Sequence, residues 1–184
     1  MTTDEHTEAE GAGDGLTRRQ ALGYGGALAT GAAAVALAQA APAEAAGAGS
    51  LTVRSISLAQ ANRLLTAALA YVRDTSGLPP MYVLVVDVCG DEKASRRMDG
   101  NGPASIALVP AKARTALAFR APTADLAART TDPARIASFV GAGFSLLGGG
   151  RPVLEDGVPI GAIAVGGGSP EQDDQVARAA LEGL

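Results

Sequence analysis

Asp156-Gly157-Val158-Pro159-Ile160-Gly161-Ala162-Ile163-Ala164-Val165-Gly166-Gly167-Gly168-Ser169-Pro170-Glu171-Gln172 holds a turn, a strand and a helix start in one run. Asp-Gly is favoured in two-residue hairpin turns, whose central positions need positive φ. Pro152 to Glu155 and Val158 to Val165 are then the two arms of a hairpin. Gly166 to Gly168 break the strand, and Ser169 opens a helix. Its hydroxyl can accept from the backbone three residues on, Gln172 can answer it, and Pro170 suits the first helical position. The glycine run lacks the G-x-G-x-x-G spacing and the Lys-Ser/Thr ending of phosphate loops. Glu171, Asp173 and Asp174 would also repel phosphate, so the run reads as a structural turn.

Working outward, Met81 to Val88 is almost continuously apolar and rich in valine, the pattern of a central strand. Cys89-Gly90-Asp91-Glu92 turns the chain, and Ala94 to Met98 returns as a more polar strand. Before it, Ser57 and Gln60 make a second capping box, and Leu58, Ala61, Leu65, Ala68, Leu69 and Val72 form a helical stripe that ends by Gly77. After the loop 99–103, Ala104 to Phe119 is helical, with Pro110 either kinking one helix or starting a second. Thr123 to Arg129 and Asp132-Pro133 to Gly141 are shorter helical pieces, and Phe144 to Leu147 can be extended. Helices and short-turned hairpins in this order predict an α+β class with a largely antiparallel sheet.

The first 45 residues have a different composition. A polar start leads to Thr17-Arg18-Arg19-Gln20, an Ala/Gly-rich apolar run to Ala38, and small residues around Ala41-Pro42-Ala43-Glu44-Ala45. Paired arginines before a moderately apolar run and an A-x-A site are the marks of a twin-arginine signal peptide. The expected division is a 1–45 signal peptide and a 46–184 domain, secreted outside the cytoplasm. Of the 15 basic and 19 acidic residues, two and six lie in residues 1–45, which leaves 13 of each in the domain. A neutral domain argues against a nucleic-acid partner. The one cysteine, Cys89, excludes an internal disulfide.

The one histidine, His6, lies in the leader, so the domain has none. That excludes a Ser-His-Asp site at Ser145 and a histidine-ligated zinc. Cys89 follows an apolar strand and reads as inert. Asp87, Asp91, Glu92 and Asp99 match no cation-loop spacing and read as solvated turns. Arg96, Arg97, Lys112 and Arg114 set cations beside apolar segments, which suits an apolar ligand bearing carboxylates.

The run from Gly157 to Asp174, with Val85-Val86-Asp87 before a glycine turn, Arg97-Met98-Asp99-Gly100 and Ala111-Lys112-Ala113-Arg114-Thr115-Ala116, resembles the GlcG/HbpS family, also found as the C-terminal domain of PduO-type proteins. The likeness spans about residues 50–184. It implies a profilin- or PAS-like antiparallel sheet flanked by helices, usually in symmetric homo-oligomers. Secreted members look like haem-binding proteins that scavenge haem or report haem and iron stress, some through a membrane sensor kinase. Others are described as haem-degrading. With no imidazole in the domain, Tyr71, Tyr82, Met81, Met98, Cys89, a lysine or a hydroxyl are left to face the iron. The resemblance places an axial threonine at Thr115 and propionate partners at Arg97, Lys112 and Arg114. Two departures stand against it: Pro110 interrupts the matching helix, and Ala164-Val165-Gly166 replaces the commoner Gly-Val-Ser. The implied function is an extracytoplasmic haem-binding protein without turnover chemistry. One rival is a haem-degrading enzyme. The other is a structural or non-haem small-ligand module, which would fill the space around Thr115 with its own side chains.

Overall fold

The structure, a computed structural model, describes residues 52–184, so the expected signal peptide lies outside the described residues. Helix α1 (Leu58–Asp74) begins at the expected capping box, with Ser57 and Gln60 bonded reciprocally. Strands β1 (Tyr82–Asp87) and β2 (Glu92–Arg97) follow, then helices α2 (Ala104–Phe119), α3 (Thr123–Arg129) and α4 (Pro133–Gly141). The hairpin β3 (Gly150–Glu155) and β4 (Val158–Gly166) leads through the glycine turn into α5 (Pro170–Glu182). At its start Ser169 and Gln172 form the second capping box. Phe144 to Leu147, which composition allowed as a strand, belongs to no sheet.

The four strands form one antiparallel sheet in the order β2-β1-β4-β3. Val83, Leu84, Val85 and Val86 stand opposite Val165, Ala164, Ile163 and Ala162. Side chains alternate across a strand, so this register divides the core in two. Val83, Val85, Ile163 and Val165 pack with Leu64, Leu65 and Ala68 of α1 and Val176 and Ala177 of α5. Leu84, Val86, Ala162 and Ala164 meet Val109, Ala113 and Ala116 of α2. Both faces of β1 are covered, which is why its sequence is apolar without alternation. This is the α+β arrangement expected from the sequence, an antiparallel sheet flanked by helices.

On the α2 face the sheet carries alanines and glycines, so the helix can lie close. A Cβ on Gly150 would stand 2.5 Å from the Lys112 carbonyl oxygen, and one on Gly166 would stand 2.5 Å from Val109 Cγ2. Pro110 does not divide α2, which runs unbroken. The helical bond that Pro110 cannot donate would have gone to Ile106, on the exposed side, where water can serve the carbonyl. Helix α4 is capped by Asp132 but buries no residue. It is tied down by Phe139, whose ring lies 4.8 Å from that of Phe119 and 6.0 Å from that of Phe144.

Candidate functional site

Helix α2 carries three of the four sequence-predicted site residues, on two different sides. Lys112 and Thr115 face the sheet and are 2 % and 0 % exposed. Thr115 Oγ1 donates to the Ala111 carbonyl at 2.7 Å and accepts the Ser145 N–H at 2.8 Å. The side chain has no exposed surface, and its hydroxyl bonds α2 to the segment before β3. Lys112 Nζ donates to Asp173 Oδ2 at 2.6 Å and to the Val165 carbonyl at 3.0 Å. The expected propionate partner is a buried tie between α2, β4 and α5, already paired with a carboxylate of its own chain.

Burial pushes the Asp173 carboxyl above the ordinary aspartate value, against the opposing pull of Lys112 and of the Gly168 N–H. With the folded value above the unfolded one, the folded state holds the extra proton. The contribution of this group to stability is therefore full below the unfolded value and falls as pH rises through the folded one. A carbon-detected NMR titration should place the Asp173 midpoint above ~3.9, and a midpoint at or below that figure would contradict the burial argument.

Arg97 and Arg114 are exposed but stand at opposite ends of the sheet. Arg97 is opposite Tyr82, at the start of β1, and donates to the Asn101 carbonyl at 3.3 Å. Arg114 borders the cleft that holds the turn after β1 and donates to the Gly143 carbonyl at 3.2 Å. Arg97 lies on β2 and Arg114 on α2, and Arg97 does not line the cleft that Arg114 borders. Among the described residues Arg114 enters no ion pair.

What the structure assembles around Arg114 is a cleft of about 1100 Å³. Its walls include Val53, Leu117, Phe144 and Val158, with Arg54, Arg114 and Arg120 as cations and Cys89 from the β1–β2 turn. Arg54 is held by Asp156 at 3.0 Å and Glu155 at 3.7 Å. Arg120 follows α2 in the left-handed region, φ 51°. Cys89 was expected to be inert, yet it is exposed: Asp87 Oδ1 accepts from the Cys89 and Asp91 N–H groups and turns the chain outward. The methionine and tyrosine candidates are engaged or covered. Met81 is fully buried, and Met98 Sδ accepts the Met81 N–H. The Tyr71 hydroxyl accepts from Gln175, and that of Tyr82 is pushed up by burial first and by the Glu92 charge second.

Beyond Arg114 and Phe144, which belong to both, an apolar groove of about 470 Å³ runs between α2 and α4. Leu108, Ala111, Ile136, Val140 and Leu147 line it, and Val140 is 62 % exposed. Arg114 thus stands where a cleft of mixed lining meets an apolar groove, suited to an apolar plate with anionic groups at its rim. Arg54 and Arg120 carried no distinguishing pattern in the sequence. The one signal for Arg120 was its place just past the helix, before Ala121-Pro122. Among the described residues no group of three or more His, Cys, Asp or Glu could hold a metal ion, and no helix is long and apolar enough to cross a membrane.

Comparison with known proteins extends this geometry. A double mutant of HbpS from Streptomyces reticuli has a similar structure, with a TM-score of 0.66 and 33% identity over 79% of this chain and 97% of that one. The structure of a PduOC:heme complex matches with a TM-score of 0.65 and 28% identity, over 71% and 95% of the two chains. Corrinoid adenosyltransferase PduO of Salmonella typhimurium is 32% identical over 57% of this chain, and the match spans only 32% of that enzyme's length. The pattern of the family described as haem degrading protein HbpS-like fits residues 56–182. The chain therefore belongs to the HbpS-like family.

Proposed function

We propose that this protein binds haem outside the cytoplasm, as a scavenger or as an accessory to a sensor, without turning it over. The observation that carries the reading is the haem complex of a similar domain, together with an arginine here that lies open to both a cleft of mixed lining and an apolar groove. Arg114 and Arg120 would hold the propionates, and Leu117, Phe144 and Val158 would lie against the porphyrin. Cys89 is the soft donor exposed in the same cleft. Cysteine thiolate is an established haem ligand, so the lack of histidine does not exclude the group. When bound, haem would supply redox and oxygen chemistry; the residues of this chain bind and orient it.

A haemin titration of the purified protein, followed in the Soret region, should saturate near one haem per chain. Arg114→Ala should weaken binding by about tenfold, the loss of one charge-assisted hydrogen bond. Cys89→Ser should move the Soret maximum. A titration without saturation would remove the proposal. The family description favours one second reading, haem degradation. It would be supported if the bound spectrum decays on adding reductant and persists without it.

The external location rests on Arg18-Arg19 and the small-residue run after them. Replacing both arginines by lysine should trap the precursor in the cytoplasm, and unchanged export in that variant would count against the route. The exposed Ile136 and Val140 favour self-association. Sedimentation that finds only monomer would remove that part.

A further inference from the structure

A third cavity, of about 220 Å³, lies where the glycine turn after β4 meets α2 and α5. Ser105, Lys112 and Asp173 line it, and all three are buried, at 6 %, 2 % and 3 % exposure. Its rim is formed by the exposed Ala104, Leu108, Leu147 and Pro170. A charged pair and a hydroxyl therefore sit at the inner end of an opening with a mostly apolar rim, whose Leu108 and Leu147 also line the groove between α2 and α4.

The hydrogen bonds of these groups do not close on themselves. A lysine ammonium has three N–H donors. Lys112 gives one to Asp173 and one to the Val165 carbonyl, and the third has no partner among the described residues. Ser105 Oγ accepts from Asn101 Nδ2 at 3.3 Å, and its own O–H finds no acceptor among the described residues. Asn101, 7 % exposed, spends Nδ2 on Ser105, the Pro80 carbonyl and the Gly166 carbonyl, and its Oδ1 is buried without a partner. Buried polar groups are nearly always satisfied, so unspent donors that border a cavity call for an acceptor inside it.

The chemistry of that acceptor follows from charge and size. Asp173 already neutralises Lys112, and Glu171 adds a negative charge beside the turn, so a second anion is disfavoured. The volume is below the ~300–1,000 Å³ of drug-sized sites. We propose that this cavity is a second binding site, independent of the haem cleft, for a neutral carbonyl compound of a few carbon atoms. Its oxygen accepts from Lys112 Nζ and Ser105 Oγ, and its apolar end rests on Leu108 and Leu147.

Acetamide, acetate and ethanol serve as probes in an amide NMR titration of the full chain. Acetamide should give saturable shifts at Ser105, Gly167 and Gly168. Ethanol, whose single hydroxyl oxygen is the poorer acceptor, and acetate, which brings a second negative charge beside Asp173, should both bind more weakly than acetamide. Leu147→Trp fills the rim without touching the ion pair and should abolish the shifts. Ser105→Ala should weaken them by about fivefold, the share of one neutral hydrogen bond. Shifts that grow linearly without saturation, that persist in Leu147→Trp, or that are as strong with acetate would overturn the proposal.

Discussion

Replacing Asp173 with alanine should destabilise the domain by about 3–5 kcal/mol, the usual cost of removing one partner from a buried ion pair. The change leaves the Lys112 ammonium, 2 % exposed, with only the Val165 carbonyl, and strips the Gly168 N–H of its acceptor as well. A fold of this size has ~5–15 kcal/mol in total, so the loss is a large share. Urea unfolding should show the midpoint falling at unchanged slope, and thermal unfolding a drop of about 10 °C or more. The pair itself is worth far less than this figure. The raised Asp173 value shows that desolvation offsets much of the attraction. Replacing both partners together, Lys112→Met with Asp173→Leu, should therefore restore most of the stability. If the double variant is as unstable as the single one, an orphaned charge is not the cause.

The second large effect is at Gly150, where valine should cost about 3 kcal/mol or more through overpacking. A Cβ there would stand 2.5 Å from the Lys112 carbonyl oxygen and 2.8 Å from Thr123 Cγ2. The nearest obstacle is helix backbone, which cannot rotate aside, so α2 must lift from β3. Lifting it pulls Lys112 from Asp173, and the losses from Gly150→Val and Asp173→Ala should overlap, with the combined variant less damaged than their sum. Gly102→Ala, with nothing within 4 Å of the added carbon, is the control and should stay within about 0.5 kcal/mol of the parent. Equal effects at the two glycines would mean that backbone freedom matters at Gly150 and close packing does not.

The elements legible in the sequence are those set by local chemistry. Ser57 with Gln60 and Ser169 with Gln172 mark helix starts because the capping bonds span three residues, and Asp156-Gly157 marks a turn for the same reason. The valines of Met81 to Val88 identify the central strand, since a strand covered on both faces needs apolar side chains on both. The roles along α2 are not local. Its outer side carries Ile106 and Leu108, and its inner side carries Val109, Ala113 and Lys112, so no polar stripe shows which side meets the sheet. Thr115 entered as a candidate only through the family resemblance, and Lys112 through that resemblance and its charge beside an apolar run. The exposure of Cys89 is likewise set by its neighbours in the turn. It lies past the end of β1, where the Asp87 side chain turns the backbone outward. The pairing of Lys112 with Asp173 spans 61 positions and depends on the finished topology.

Helix α4 leaves the cores untouched because none of its residues is buried. If it peeled away, the chain would lose the ring contacts of Phe139 with Phe119 and Phe144, and the sheet would keep both its coats. Such a segment opens at a free energy below that of the whole domain. It also forms the far wall of the apolar groove, so the width of that groove is set by a helix held through three phenylalanine rings.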